Sequence, residues 1–225
     1  MNAMQRVTGR EEAGGKAQTV RAAAERAFLA SGFGAVTMDA IAREAGVSKA
    51  TVYAHFHSKE ELFGAVVAHL SERRFDGFSA EALDPRDIEA SLLTIASRFL
   101  DLVLSPEAIA LNRILIGEVS RFPVLGEVFW AAGPERTRVQ VEAFLRRAAG
   151  AGTLSVPDAR LAAEQFIALA RGEIHLRSLL RLEDPDDPVK LAAAAASAVA
   201  TFLRAFRRAS KPLSRLAGEG YTNRL

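Results

Sequence analysis

Apolar residues recur along this chain with the 3.6-residue period of helices that face a core, and nowhere do they alternate as in a strand. Val20, Ala23, Ala27 and Phe28 share one face of a first helix, expected over Lys16–Ser31 and ended by Gly32. Two short helices follow, Met38–Ala45 and Ser48 to about Phe56. A fourth begins at Ser58 and carries Leu62, Phe63, Val66, Val67 and Leu70 towards Phe75. Pro85 marks a boundary. After it, Ile88, Leu92, Ile95, Phe99 and Leu102 form one stripe, and Leu111, Ile114, Leu115, Val119 and Phe122 a second. Thr137, Val141, Phe144 and Ala148 form a third, with Pro134 set to start or kink its helix. Ala162, Phe166, Leu169, Leu176 and Leu180 form a fourth, and Asp187-Pro188 opens the last helix with a cap and a proline at its first position. The pattern predicts an all-α fold without internal repeats.

The segment Thr37–Leu62, TMDAIAREAGVSKATVYAHFHSKEEL, is the most specific part of the pattern. Thr37 can cap the first short helix and Asp39 suits its first turn. Gly46 stands where the chain reverses and a positive φ is needed. Ser48 can cap the second helix, while Ile41, Ala45, Val47 and Val52 pack the pair and Ala42 permits close approach. Such a pair is a helix-turn-helix, whose second helix enters the DNA major groove. Two ordinary core helices are the plainer alternative.

GVSKATVYAHFHSKEEL resembles the DNA-binding signature of the TetR/AcrR family of one-component bacterial regulators, a resemblance that runs from about Gln18 to Val67. EVSRFPVLGEVFWAAGPERT is similar to an AefR-like branch of that family. The resemblance implies a three-helix DNA-binding head over 16–62 and a helical ligand-binding and dimerisation domain over 63–208. A disordered arm over 1–15 and a basic tail over 209–225 complete the expected organisation. It places Thr37, Ser48, Thr51, Tyr53, His55 and Lys59 on the DNA surface, with Lys49 and Ala50 facing bases. Hydroxyls and free helix amides at Thr37 and Ser48 suit phosphate, as do the Tyr53 phenol and the Lys59 ammonium. The second helix lacks Arg, Asn and Gln, the side chains that read purines with two hydrogen bonds. Shape and backbone contacts are therefore expected to carry much of the specificity. Lys49 suits a base edge or a phosphate equally well.

Charge sharpens this picture. The net charge is only +2, yet residues 61–203 carry 15 Lys+Arg against 20 Asp+Glu, and residues 204–225 carry 6 against 1. An acidic middle flanked by basic ends is expected where one part of the molecule meets phosphate. The chain has no cysteine, which excludes disulfides and thiolate metal sites, and His55 and His57 make a poor metal pair. No phosphate-cradling glycine loop, zinc-hydrolase motif or nucleophile elbow is present, so neither cofactor, metal nor enzymatic activity is expected. The opening residues lack an apolar leader, and the longest uncharged apolar run, Leu191–Leu203, is too short for a bilayer; a cytoplasmic protein is expected.

One short recognition helix buries little, so a homodimer on a two-fold operator is expected, with the last two helices as interface. Ala192, Ala196, Val199, Leu203 and Phe206 are the candidate contacts. Glu118, Glu173 and Arg177 interrupt apolar faces; each is either ion-paired or a polar anchor in a cavity. The expected apolar lining is Phe99, Ile116, Phe129, Trp130, Phe144 and Phe166, with His175 on the opposite side of its helix. The resulting expectation is a repressor of DNA operators released by a small, mostly apolar effector. A helical small-molecule-binding protein without specific DNA binding is the alternative.

Overall fold

The computed structural model describes residues 3–75, 82–183 and 187–208, with side chains from residue 15 onward. The described residues form the helices α1 (Ala3–Ser31), α2 (Met38–Ala45), α3 (Lys49–His55), α4 (Lys59–Phe75), α5 (Ile88–Val103), α6 (Pro106–Glu118), α7 (Val124–Ala132), α8 (Pro134–Gly150), α9 (Ala159–Arg171), α10 (Ile174–Leu179) and α11 (Pro188–Phe206). They contain no strand, only an isolated bridge between Leu154 and Arg207. The all-α expectation holds. The expected tail, 209–225, lies outside the described residues.

The amino-terminal head is built on three phenylalanines. Phe28 and Phe33 stack at 5.6 Å, and Phe63 from α4 meets both edge-on at 5.6 and 5.7 Å. All three are fully buried, beside Val20, Ala23, Ile41 and Val52. Each such aromatic pair adds about 0.5–1.5 kcal/mol beyond its buried area. Truncating Phe33 to alanine would cost roughly 3–5 kcal/mol.

α1 starts at Ala3, whereas a disordered arm up to residue 15 and a helix from Lys16 were expected. The segment is Gly-rich, but a glycine inside a helix costs only about 1 kcal/mol against alanine and does not by itself terminate one.

α4 belongs to both halves. Leu62 and Phe63 complete the head core, while Val66, Val67 and Leu70 are buried on the stretch that meets α5 and α7. Gly64 lets α7 come very close, since a Cβ there would lie 2.7 Å from Val128 Cγ1. The bundle core runs through α5, whose Leu92, Ile95, Ala96 and Leu100 are fully buried, and through α8, α9 and α11. Phe166 on α9 meets Phe202 on α11 edge-on at 5.1 Å.

Two boundaries differ from the periodic pattern. Residues 124–132 form a separate helix, α7, set off by Pro123 and Gly133. The stripe expected from Ala162 to Leu180 is broken at Gly172, with φ 50° and ψ −155°, into α9 and α10. The break resets the helical phase, so Leu176 and Leu180 are exposed rather than core; Leu169, on α9 before the break, is exposed as well.

Candidate nucleic-acid interface and ligand cavity

Local hydrogen bonds shape the helix-turn-helix. Thr37 is extended and its Oγ1 accepts the Ala40 N–H at 3.1 Å, starting α2. Gly46 adopts φ 67°, and the next N–H, from Val47, closes on Ala42 O at 3.1 Å. Ser48 Oγ accepts the Thr51 N–H at 3.1 Å and lies 2.8 Å from Thr51 Oγ1. Val52 and Phe56 turn inward and hold α3 against the head. Thr37, Ser48, Lys49, Ala50 and Tyr53 are exposed, with Thr51 and His55 half-buried beside them. Together they form an exposed, mostly polar surface among the described residues.

The two lysines of this region behave differently. Lys49, at the start of α3, is exposed and its Nζ sits 2.8 Å from Asp39 Oδ1. Hydrogen bonding to Asp39 raises its pKa above the ordinary lysine value. Lys59 corrects an expectation. Its Nζ donates to Phe33 O and Val36 O, both at 2.7 Å, and lies 4.2 Å above the Phe33 ring. Burial holds its pKa below the usual value. Its ammonium closes the α1–α2 loop, which takes two of its three N–H donors.

A cavity of about 430 Å³ opens among α4 to α10, lined mainly by apolar atoms. Val67, Leu70, Phe99, Leu102, Leu111, Leu115, Phe129 and Trp130 form its walls. Of the expected lining, Phe99, Phe129 and Trp130 are in place. Phe144 and Phe166 are instead fully packed core residues, and Ile116 is 61% exposed on the outer side of α6. Glu118 is not a cavity anchor; its Oε1 accepts the Gly34 N–H at 3.0 Å. Glu173 and Arg177 also lie outside the cavity, as surface ion pairs. Arg177 reaches Glu173 at 3.6 Å and its Nε donates to Glu183 at 3.0 Å.

Polar residues outside the expected lining also border the cavity: Asn112, Arg138, Glu164, Arg171 and His175, with Thr137 from the third stripe. Arg138 is buried, and its guanidinium is matched by Glu135, at 2.7 Å, and by Glu142. Hydrogen bonds donated to these carboxylates raise the pKa of Arg138, while its guanidinium lowers that of Glu135. Arg146 first, then Arg138, lowers that of Glu142. Burial, then the neighbouring Arg171, pushes the His175 pKa down, which favours a neutral imidazole. His175 was expected away from the lining, but that expectation assumed one continuous helix through Gly172.

Residues 90–208 match the family described as the AefR-like transcriptional repressor C-terminal domain, and residues 20–66 match the tetR family of bacterial regulatory proteins. The chain belongs to the TetR family. Among solved structures, the flavonoid-responsive regulator FrrA is 35% identical, with a TM-score of 0.71 over 88% of this chain and 100% of that one. A TetR-family regulator from Mesorhizobium loti is 26% identical, with a TM-score of 0.74 over 87% of this chain and 98% of that one. The HTH-type regulator SrpR of Pseudomonas putida is 35% identical over 99 residues, which are 44% of this chain and 45% of SrpR. The match thus spans less than half the length of that curated relative. As a TetR-family protein the chain is a transcriptional regulator with a helix-turn-helix head, and not an enzyme.

In this TetR-family regulator the expected interface residues divide between two faces of α11. Val199, Leu203 and Phe206 turn inward, where Phe206 packs on Phe202 at 4.6 Å. They belong to the core of a single chain. Ala192 and Ala196 are exposed, on a stripe with Val189, Ala193 and Ala200. α11 is long and apolar enough to cross a membrane by length and composition alone. Its inner face is occupied by α5 and α9, and its outer face is the apolar surface left over.

Proposed function

We propose that this TetR-family regulator is a repressor that binds a two-fold operator as a homodimer and is released by a small, mostly apolar ligand in the cavity. The observation that carries the reading is the shared membership of α4. Leu62 and Phe63 hold the head together, and Val67, Leu70 and Ser71, a turn or two on, line the cavity. A ligand that pushes on the second group tilts the helix on which the first group rides. Two rigidly attached heads then leave register with the groove. A coupling of about 1–3 kcal/mol would weaken DNA binding by roughly 5- to 150-fold.

The DNA surface in this reading is Thr37, Ser48, Lys49, Ala50, Thr51, Tyr53 and His55. The units are a head over 16–62 and a ligand and dimerisation domain over 63–208, joined within α4. The cavity lies in the range of about 300–1,000 Å³ typical of small-molecule sites. Phe99, Phe129 and Trp130 suit a flat aromatic ligand, and the flavonoid-responsive character of FrrA supports that class. With Arg138 already matched by two carboxylates, a neutral ligand fits better than an anion.

The test is selection from random duplex DNA at defined salt, followed by titration of flavonoid-type compounds. Trp130, the sole tryptophan, lies in the cavity wall and reports binding by its fluorescence. The reading expects a palindromic motif and ligands that both perturb Trp130 and release the DNA. Ligand binding by a protein that enriches no motif would favour a helical binding protein without specific DNA recognition.

A further inference from the structure

The outward face of α3 carries a single lysine and no arginine, and that lysine is already engaged. Lys49 Nζ lies 2.8 Å from Oδ1 and 3.1 Å from Oδ2 of Asp39, so both carboxylate oxygens hold it. It also lies 5.9 Å from the centre of the Tyr53 ring, one turn further along α3. A flexible side chain is thereby directed from two sides before DNA arrives. Asp39 gains something from the amino-terminal end of α2, but it pays for that by standing on a surface meant for phosphate. A carboxylate there opposes association with DNA.

We propose that Asp39 is a positioning residue for DNA reading. It holds the Lys49 ammonium towards the base edges and away from phosphate, so that a residue suited to either contact becomes a base reader. The acceptors that fit an ammonium in the major groove are guanine N7 and O6, so a G·C pair belongs opposite Lys49 in each half-site. The inference rests on α3 being the recognition helix, and it deepens the proposed function by naming what sets specificity where Arg, Asn and Gln are lacking.

The experiment uses the full chain and the operator obtained by selection. Affinities for the operator, for operators substituted at single base pairs, and for scrambled duplex are measured across salt concentrations. The proteins are the wild type, Asp39→Asn, Lys49→Ala and the double variant. Asp39→Asn is expected to bind scrambled duplex several-fold more tightly, with the slope of log K against log salt steeper by about 0.9, one new phosphate contact. Its discrimination at one G·C pair falls to the level of Lys49→Ala, from the ~5- to 150-fold that a good base contact provides. In the Lys49→Ala background, Asp39→Asn leaves that discrimination unchanged. Asp39→Glu, which keeps the charge, retains most of it and guards against a folding defect. Unchanged discrimination in Asp39→Asn overturns the inference, as does an effect at that base pair that persists without Lys49. A wild type that enriches no motif overturns the inference together with the reading beneath it.

Discussion

Glu118, at the end of α6, accepts the backbone N–H of Gly34 in the α1–α2 loop at 3.0 Å, across 84 residues of sequence. One turn beyond, Phe122 meets Phe33 of the same loop edge-on at 5.3 Å. The opposite end of α6 supplies Ala108, Leu111 and Asn112 to the cavity. A second physical path, besides α4, therefore joins the cavity to the head.

Glu118→Ala removes the carboxylate end of that path. A hydrogen bond to a charged group contributes about 1.5–3 kcal/mol when buried, and less here because Glu118 is half-exposed. We expect a stability loss of about 1–2 kcal/mol in urea denaturation. Operator affinity without ligand should stay within a few-fold of the wild type, while a saturating ligand releases the DNA less completely. Full release in the variant would show that α4 alone carries the coupling.

Lys59→Met tests the other clamp on the same loop. The change keeps the stem but strips Phe33 O and Val36 O of their donor. A loss of about 1–3 kcal/mol is expected, with no change in the salt dependence of DNA binding. A salt slope shallower by about 0.9 with unaltered stability would return Lys59 to the phosphate backbone.

The head was legible in the sequence because its rules are local. Thr37, Gly46 and Ser48 act on neighbours three to five residues away, and their types announce what they do. The cavity was not, because it is bounded by helices from Val67 to His175. A helical wheel says which side of α8 or α9 is apolar, but not whether that side meets another helix or faces a gap. Phe144 and Phe166 therefore resembled Phe99 and Phe129, although the first pair is packed and the second borders the void. The loop contacts of Glu118 and Lys59 were not legible for a related reason. Their partners are backbone groups of a distant loop, which leave no mark in the side-chain pattern. On α11 the inner and outer faces are both apolar, so periodicity could not separate the core from the surface.

The depressed pKa of His175 makes a prediction about acid. Burial, then Arg171, disfavours the cation in the folded state, so the unfolded chain binds the proton more readily. Stability then rises with pH between the folded pKa and the ordinary histidine value of about 6.5, and falls on acidification through that window. His69 acts in the same direction, through burial, Arg21 and Arg73. Glu135 and Glu142, whose pKa values are lowered, lose their contributions only in stronger acid. Melting temperatures between pH 6.5 and 5 should therefore drop less for His175→Gln than for the wild type, with no difference at pH 8. Affinity for a neutral ligand should weaken over the same range in the wild type only. Parallel pH profiles for the two proteins would remove His175 from both roles.

The outer face of α11 supplies the last prediction. Val189, Ala192, Ala193, Ala196 and Ala200 are exposed there, and Leu161 and Leu169 are exposed on the adjacent α9. Small side chains allow two such faces to approach closely, and a face this apolar is a surface a single chain leaves uncovered. Ala196→Glu places a carboxylate at its middle without touching the core, so the fold should keep its stability within about 0.5 kcal/mol. Sedimentation should then give the mass of one 24.2 kDa chain where the wild type gives two. Losing the linked second half-site should lower operator affinity by roughly 10²- to 10⁴-fold. Val199→Glu is the contrasting case, since Val199 is 2% exposed and a charge there would unfold the chain rather than split the dimer. An Ala196→Glu protein that sediments as a dimer would move the interface to another face.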